Sequence, residues 1–161
     1  MGYQGHNTET HHSYSLFSPG IATAPKVSRD FVRSVLGASG LGHLVDAALL
    51  CTSELVTNAY LHASGDIMVR LGLRADAVRI SVYDRSLEMP VPRCPPSSDQ
   101  HGRGLQLVSC TADRWGVTGG QLSEQLKGVW FELGTGTDAD TGTGAGAGAG
   151  GHRPEAAASS V

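Results

Sequence analysis

Two stretches of the first half of the chain carry apolar residues at helical spacing. The first begins near Thr23 and Pro25, residue types typical of a helix start. Its apolar positions are Val27, Phe31, Val35 and Leu36, and glycines at 37, 40 and 42 end it. The second predicted helix runs from about His43 to Ala63, and Gly65 is suited to stop it. Its apolar stripe consists of Leu44, Ala48, Cys51, Leu55 and Ala59.

Strict alternation then predicts two strands joined by the short link 74–77, which makes them an antiparallel hairpin. Ile67, Val69, Leu71 and Leu73 share one face of the first strand, and Val78, Ile80 and Val82 share one face of the second. Asp84 has the same phase as the second set, so its carboxylate is expected to point toward the core. A partly buried carboxylate needs a hydrogen-bond donor. The alternative interpretation is a structural aspartate that caps a turn.

The second half begins with a long irregular stretch, residues 85–101, which contains four prolines. Loops of this length in a compact domain are usually functional lids or disordered segments. The chain then passes through Gly102, Arg103 and Gly104 into a third predicted helix with Leu105, Val108 and Ala112 on one side. Free N–H groups at such a helix start suit a phosphate, although a pair of glycines most often forms only a turn. Short strands are predicted at 14–17, 115–118 and 129–133.

Composition limits the domain organisation and the classes of partner. The 161 residues predict one folded domain, 14–133, between a polar arm, 1–13, and a Gly/Ala/Thr-rich tail, 134–161, both expected to be disordered. A net charge of −3 with a pI near 6.1 argues against direct nucleic-acid binding. The absence of a signal sequence or of an apolar run near 18 residues predicts a soluble cytoplasmic protein without a membrane partner. Cys51, Cys94 and Cys110 are widely spaced, which favours free thiols over a disulfide or zinc site.

Glu54 and Asn58 form the most informative pair of polar residues, because they lie one helical turn apart on the second predicted helix. Residues at i and i+4 share a helix face, roughly 5–6 Å apart at Cβ. A carboxylate and a carboxamide so placed combine an acid/base group with an oxygen ligand for a hard divalent cation. A solvated helix face is the ordinary alternative, but Asp84 and the glycines at 102 and 104 follow in an order that indicates a nucleotide site.

The segments 53–59, 62–63, 102–105 and 112–117, together with Asp84, resemble the GHKL ATPase superfamily of gyrase, histidine kinases and MutL. Within it they are most similar to the short anti-sigma-factor serine kinases of the RsbW and SpoIIAB kind, especially their actinobacterial relatives. The resemblance covers about residues 14–133. It implies an α/β fold: a two-layer sandwich of a mixed, mainly antiparallel sheet with helices on one face. It also implies ATP and Mg²⁺ as cofactors.

The same resemblance assigns roles to individual residues. Glu54 matches the carboxylate that activates the attacking water or serine hydroxyl, and Asn58 matches the magnesium ligand. Asp84 matches the acceptor of the adenine amino group. Gly102 and Gly104 match the lid glycines whose N–H groups approach the phosphates, and Leu105 of the same motif is counted with them as nucleotide-binding. Arg85 and Arg103 are candidates for phosphate contacts because a guanidinium can bind phosphate in bidentate geometry. His62 is expected to pack on the sheet at the end of its helix.

One motif departs from the family pattern. The first glycine box, normally Asp-x-Gly-x-Gly, has Ser86 in place of the first glycine, and Leu87 and Glu88 follow. Serine is small enough to substitute beside the adenine, whereas nothing replaces the second glycine. The leading hypothesis is a protein serine/threonine kinase acting on a STAS-domain anti-anti-sigma protein and binding a sigma factor, with a possible homodimer. The alternative is a non-catalytic nucleotide-sensing module that controls a transcription regulator.

Overall fold

A computed structural model describes residues 10–86, 104–119 and 126–136 of the chain. These residues form five strands and three α-helices. In chain order they are β1 (Thr10–Ser18), α1 (Ala24–Ala38), α2 (Val45–His62), β2 (Ile67–Arg74), β3 (Ala77–Asp84), α3 (Gly104–Thr111), β4 (Arg114–Gly119) and β5 (Lys127–Gly134). A short 3-10 turn, Gly42–Leu44, precedes α2. No helix in this part of the chain is both long and apolar enough to cross a bilayer.

The strands form one sheet in the order β1-β2-β3-β5-β4. Each neighbouring pair of described strands is antiparallel, so the mixed sheet expected from the sequence is not observed among them. The reason is that β5 enters between β3 and β4 and runs opposite to both. The helices pack against one face of the sheet. The fold class is therefore α/β, with an antiparallel sheet and an arrangement compatible with a two-layer sandwich.

The predicted hairpin of β2 and β3 is confirmed. Its register runs from the pair Met68 and Tyr83 to the pair Leu73 and Val78, and the turn contains Ala75 and Asp76. The apolar residues on the helix-facing side of both strands belong to the core: Ile67, Val69, Leu71, Leu73, Val78, Ile80 and Val82. Alternation along these strands was a sufficient guide because only one face of the hairpin packs against helices.

The buried face of α1 agrees only in part with the predicted one: Leu36 is buried and Val35 packs against the core, as expected. The helix buries Ala24, Ser28, Val32 and Leu36, whereas Val27 is exposed and Phe31 is only partly buried. The buried stripe therefore combines two small residues in the first half of the helix with Val32 and Leu36 in the second half, and Phe31 packs against the core from its side. The predicted helix start is confirmed, with Thr23 at the N-cap and Pro25 in the first turn.

The prediction for α2 is largely correct. The helix spans Val45–His62, and its buried residues are Ala48, Leu49, Cys51, Thr52, Leu55, Val56 and Ala59. Leu44 lies in the preceding 3-10 turn and is only partly buried. The chain after α2 passes so close to the turn after β1 that a Cβ on Gly20 would overlap the carbonyl oxygen of Gly65.

The edge strand β1 is longer than the four residues predicted from the sequence. Thr10 already aligns with Arg74 of β2, and the pairing continues to Ser18 and Ile67 with an irregularity between Thr10 and His12. The pairing of residues 10–13 draws part of the predicted polar arm into the sheet. Polar side chains do not prevent this, because the hydrogen bonds that join β1 to β2 are made by the backbone.

Candidate functional site

The contact between α2 and α3 brings together three of the residues singled out in the sequence. Glu54 and Asn58 lie on α2, and Gly104 is the first residue of α3. A Cβ built on Gly104 would lie 2.8 Å from Oε2 of Glu54 and 3.1 Å from Nδ2 of Asn58. Both polar side chains therefore contact the backbone at the start of α3. Nδ2 and Oδ1 of an asparagine differ only by a flip of the amide, so either atom can face this backbone.

The start of α3 is buried. Gly104 is enclosed, and Leu105 is 8% exposed and belongs to the hydrophobic core together with Val108. The side chain of Leu105 thus packs inside the domain, and only its backbone is placed to meet a ligand at the helix start. Gly102 and Arg103, the other two predicted phosphate contacts, lie outside the described residues.

Asp84 is buried at the end of β3, as its phase in the strand predicts. Its Oδ1 accepts a hydrogen bond of 2.7 Å from the backbone N–H of Ser86 and lies 3.5 Å from Nζ of Lys127. Ser86 is itself buried. The carboxylate therefore has donors within the protein and closes a turn after the strand, which is the structural role that the sequence left open. This role involves Oδ1 and is compatible with a ligand at Oδ2.

The end of α2 and the end of β3 lie at the same end of the sandwich. A Cβ built on Gly65, just after α2, would lie 3.8 Å from Cδ of Arg85, the residue that follows Asp84. Asn58 occupies the turn of α2 before His62, where the helix ends. Asn58 and Asp84 therefore both lie near this end of the domain.

The buried thiol of Cys51 lies on α2 one turn before Glu54, and its pKa reflects the electrostatics of the α2–α3 contact. The pKa of Cys51 is raised to about 11, mainly by burial and in addition by the negative charge of Glu54, while a hydrogen bond with Thr111 lowers it. Cys51 is fully buried, whereas Cys110 is exposed, and both thiols are free. Thr111 is the last residue of α3, so both ends of that helix contact α2.

The donor types at this site fit a magnesium ion better than a transition metal. Asn58 offers a carboxamide oxygen and Glu54 offers a carboxylate. Mg²⁺ commonly takes only one or two protein oxygen ligands and completes its shell with phosphate and water. Among the described residues, no group of three or more His, Cys, Asp and Glu side chains forms a metal-binding cluster.

The sequence did not single out Lys127. This residue is the register partner of Asp84 across β3 and β5, and its side chain is 12% exposed. A strand prediction that begins at Val129 stops short of it. Extending the alternation of Val129, Phe131 and Leu133 backward by one step would have placed Lys127 on the helix-facing side of the sheet.

His62 does not pack as predicted. It lies in the last turn of α2 and is exposed, because the chain leaves the helix at Ala63 in an extended conformation and leaves this side chain in solvent.

No protein-family model matches the chain, and no curated protein matches it.

Proposed function

We propose that this protein binds ATP with Mg²⁺ and transfers the γ-phosphoryl group to a serine of a STAS-domain protein that antagonises its binding to a sigma factor. The observation that carries the proposal is the contact of Glu54 and Asn58 with the backbone of Gly104. An acid/base group, an oxygen ligand and a helix start suited to phosphate thus meet at one point.

The roles follow from the chemistry of each group. Glu54 would accept the proton of the serine hydroxyl, whose oxygen then forms a bond to the γ-phosphorus while the bond to the departing ADP oxygen breaks. Asn58 would hold the magnesium ion, which neutralises charge on the phosphates when it is bound. The buried start of α3 would orient the phosphates through backbone N–H groups. Positioning and charge stabilisation supply most of the catalysis in this class of reaction.

Asp84 supports the adenine end of the proposed site. Its contacts with Ser86 and Lys127 both involve Oδ1, so we assign Oδ2 to the adenine amino group. Ser86 fits into the buried turn after β3 and donates its N–H to Asp84. The turn therefore forms with serine in place of the first glycine of the box.

Phosphorylation of the antagonist would regulate its binding through the added negative charge. A phosphoserine adds roughly −1.5 to −2 charges at neutral pH. Added at an interface with this protein, that charge would weaken the antagonist's binding and leave the protein available to its sigma factor.

The second candidate is a nucleotide-sensing module without phosphoryl transfer. It is favoured by the altered glycine box at residues 84–88, whereas retention of Glu54 beside Asn58 favours the kinase. The two candidates agree on binding and differ only in chemistry.

One set of variants separates them. Glu54→Ala should keep the ATP affinity within a few-fold and abolish transfer of label from γ-labelled ATP to a STAS-domain protein, because the base acts mainly in the transition state. Asn58→Ala should lower the affinity strongly in magnesium and little in EDTA, as calorimetry would show. Asp46→Ala removes an exposed acid at the other end of α2 and serves as the control.

Three outcomes are distinguishable. Transfer by the wild type that Glu54→Ala abolishes supports the kinase. ATP binding without transfer in both proteins supports the sensing module. A wild-type protein that binds no ATP in magnesium contradicts both.

A further inference from the structure

The face of the sheet opposite the helices, called here the open face, carries a lateral row of charged side chains. The register places Arg79 of β3 opposite Glu132 of β5, and Glu132 opposite Arg114 of β4. Arg74 of β2 reaches the same carboxylate at 2.9 Å, and Arg70 lies farther along β2 with a hydrogen bond to Ser13 of β1. Four arginines therefore lie on this face across three strands.

Glu132 neutralises only part of this charge. Its carboxylate is almost fully buried beneath the arginines, with Arg79 at 2.8 Å and Arg114 at 3.7 Å. The side chain of Arg114 is 72% exposed, and Arg70 is exposed as well. Asp76, which is 82% exposed in the turn after β2, lies 3.6 Å from Arg74 as well. The four arginines therefore exceed the two acids by two charges, although the whole chain has a net charge of −3. Positive charge is thus concentrated on the open face.

An apolar row lies next to Arg70 on the same face, and it is two rows of side chains from Arg79 and Arg114. The register aligns Phe17 with Met68, and Met68 with Tyr83. Phe17 is 74% exposed, the largest fraction among the exposed large hydrophobic residues of the described chain. No described helix packs on this face. An exposed aromatic residue beside unbalanced arginines is typical of the centre and rim of a protein interface.

We propose that the open face binds an acidic segment of a partner protein, with an apolar side chain of that segment seated on Phe17 and Met68 and its carboxylates paired with Arg70 and Arg114. The inference does not depend on nucleotide binding, because none of these residues contributes to the site formed by α2 and α3. Charge complementarity identifies the partner as acidic.

Two other occupants are disfavoured on physical grounds. A second copy placed face to face would bring two surfaces with excess positive charge together. Single-stranded nucleic acid stacks successive bases on several free aromatic rings, and Phe17 alone does not supply them. The ring of Trp130 is covered by the Arg79 guanidinium at 4.0 Å and lies against Gly116. Tyr83 likewise lies against the backbone of Gly128.

The test uses the full chain and a short fluorescein-labelled peptide of Asp and Glu with interspersed Leu and Phe. Arg70→Gln with Arg114→Gln removes two exposed charges and leaves Glu132 paired with Arg74 and Arg79. This double variant should bind the peptide about three- to tenfold more weakly than wild type. The matched control, Lys26→Gln with Arg33→Gln, removes two exposed charges from α1 and should leave the affinity unchanged.

Two further arms complete the experiment. Phe17→Ser should also weaken peptide binding, since it removes the apolar contact without changing charge. Amide shifts of the labelled protein on addition of peptide should fall on β1 and β2 around Phe17, Met68 and Arg70, and on β4 around Arg114. Equal losses in the double variant and its control, an unchanged affinity of Phe17→Ser, or shifts confined to the helices would overturn the proposal. Tighter binding of a single-stranded RNA than of the peptide would replace it with a nucleic-acid surface. A wild-type dimer lost in the double variant would assign the face to a second copy.

Discussion

The backbone of Gly104 lies against the carboxylate of Glu54, with room for a hydrogen atom but not for a methyl group. A Cβ at residue 104 would approach Oε2 to 2.8 Å, closer than ordinary van der Waals contact. The position of the candidate base therefore depends on the packing of α3 on α2. A substitution at residue 104 can consequently affect the site without affecting the stability of the fold.

Gly104→Ala should therefore impair the site without unfolding the protein. Alanine favours a helix over glycine by about 1 kcal/mol, and Glu54 can swing away at little cost because Oε2 ends a flexible side chain. We expect unchanged or slightly higher thermal stability, with weaker magnesium–ATP binding. Gly37→Ala is the matched control, since Gly37 lies in α1 with open space around it. It should stabilise the protein and leave ATP binding intact. A Gly104→Ala protein that binds ATP like wild type would separate the α2–α3 contact from nucleotide binding.

Asp84→Asn tests the adenine contact. The amide oxygen can still accept the N–H of Ser86, so the turn after β3 should persist. The charge-assisted acceptor for the adenine amino group is lost, which is worth roughly 1.5–3 kcal/mol, and ATP should bind about 10- to 100-fold more weakly. GTP presents a carbonyl at the matching position and should bind poorly to wild type and lose less in the variant. Equal affinity of the wild type for ATP and GTP, measured by calorimetry, would remove Asp84 from the base-binding role.

The buried thiol of Cys51 should make stability depend on pH in the alkaline range. Its pKa is raised from the ordinary 9.0 to about 11, so the folded protein keeps this proton after the unfolded chain has lost it. The free energy of unfolding should consequently fall as the pH rises from about 9 to about 11. Urea unfolding at a series of pH values should show a shallower fall for Cys51→Ala than for wild type. Cys110→Ala removes an exposed thiol and should retain the wild-type slope. Parallel slopes for all three proteins would contradict the assignment.

Glu132→Gln should destabilise the sheet by about 1–3 kcal/mol. The substitution keeps the shape of the side chain but leaves Arg74 and Arg79 beside a neutral group, and the partial exposure of both arginines limits the loss. Asp30→Asn is the control, because Asp30 is an exposed carboxylate also paired with two basic side chains, Lys26 and Arg33. Denaturant unfolding should show almost no change for the control. Similar losses of unfolding free energy in the two variants would mean that burial of Glu132 does not strengthen its ion pairs.

Local pattern was enough to predict the hairpin and the burial of Asp84, because alternation fixes which side of a strand faces the helices. It gave only part of the buried face of α1: Leu36 is buried and Phe31 and Val35 pack against the core, but Val27 is exposed. The small residues Ala24 and Ser28, which no apolar pattern marks, are buried in the first half of the helix. It also began β5 too late, because Lys127 and Gly128 look like a turn when the neighbouring strands are unknown.

The individual residues of the candidate site could be predicted from the sequence, but the contacts between them could not. The spacing of Glu54 and Asn58 places them on one helix face, and glycine at 104 indicates a helix start. Their contact depends on how α3 packs on α2, which no local pattern encodes. The pairing of Asp84 with Lys127 similarly depends on the insertion of β5 beside β3, a choice of topology and not of sequence period.

Because β5 lies between β3 and β4, the sheet can be completed only after β5 has been synthesised. Within the described sheet β4 pairs with no strand other than β5. The ribosome releases β4 before β5, its pairing partner. The hairpin of β2 and β3 can form earlier, but the groups on β3 that will bond β5 must wait for residues 127–134. A nascent chain halted before Gly128 would therefore expose an unpaired strand edge, and release of β5 would be the step that completes folding.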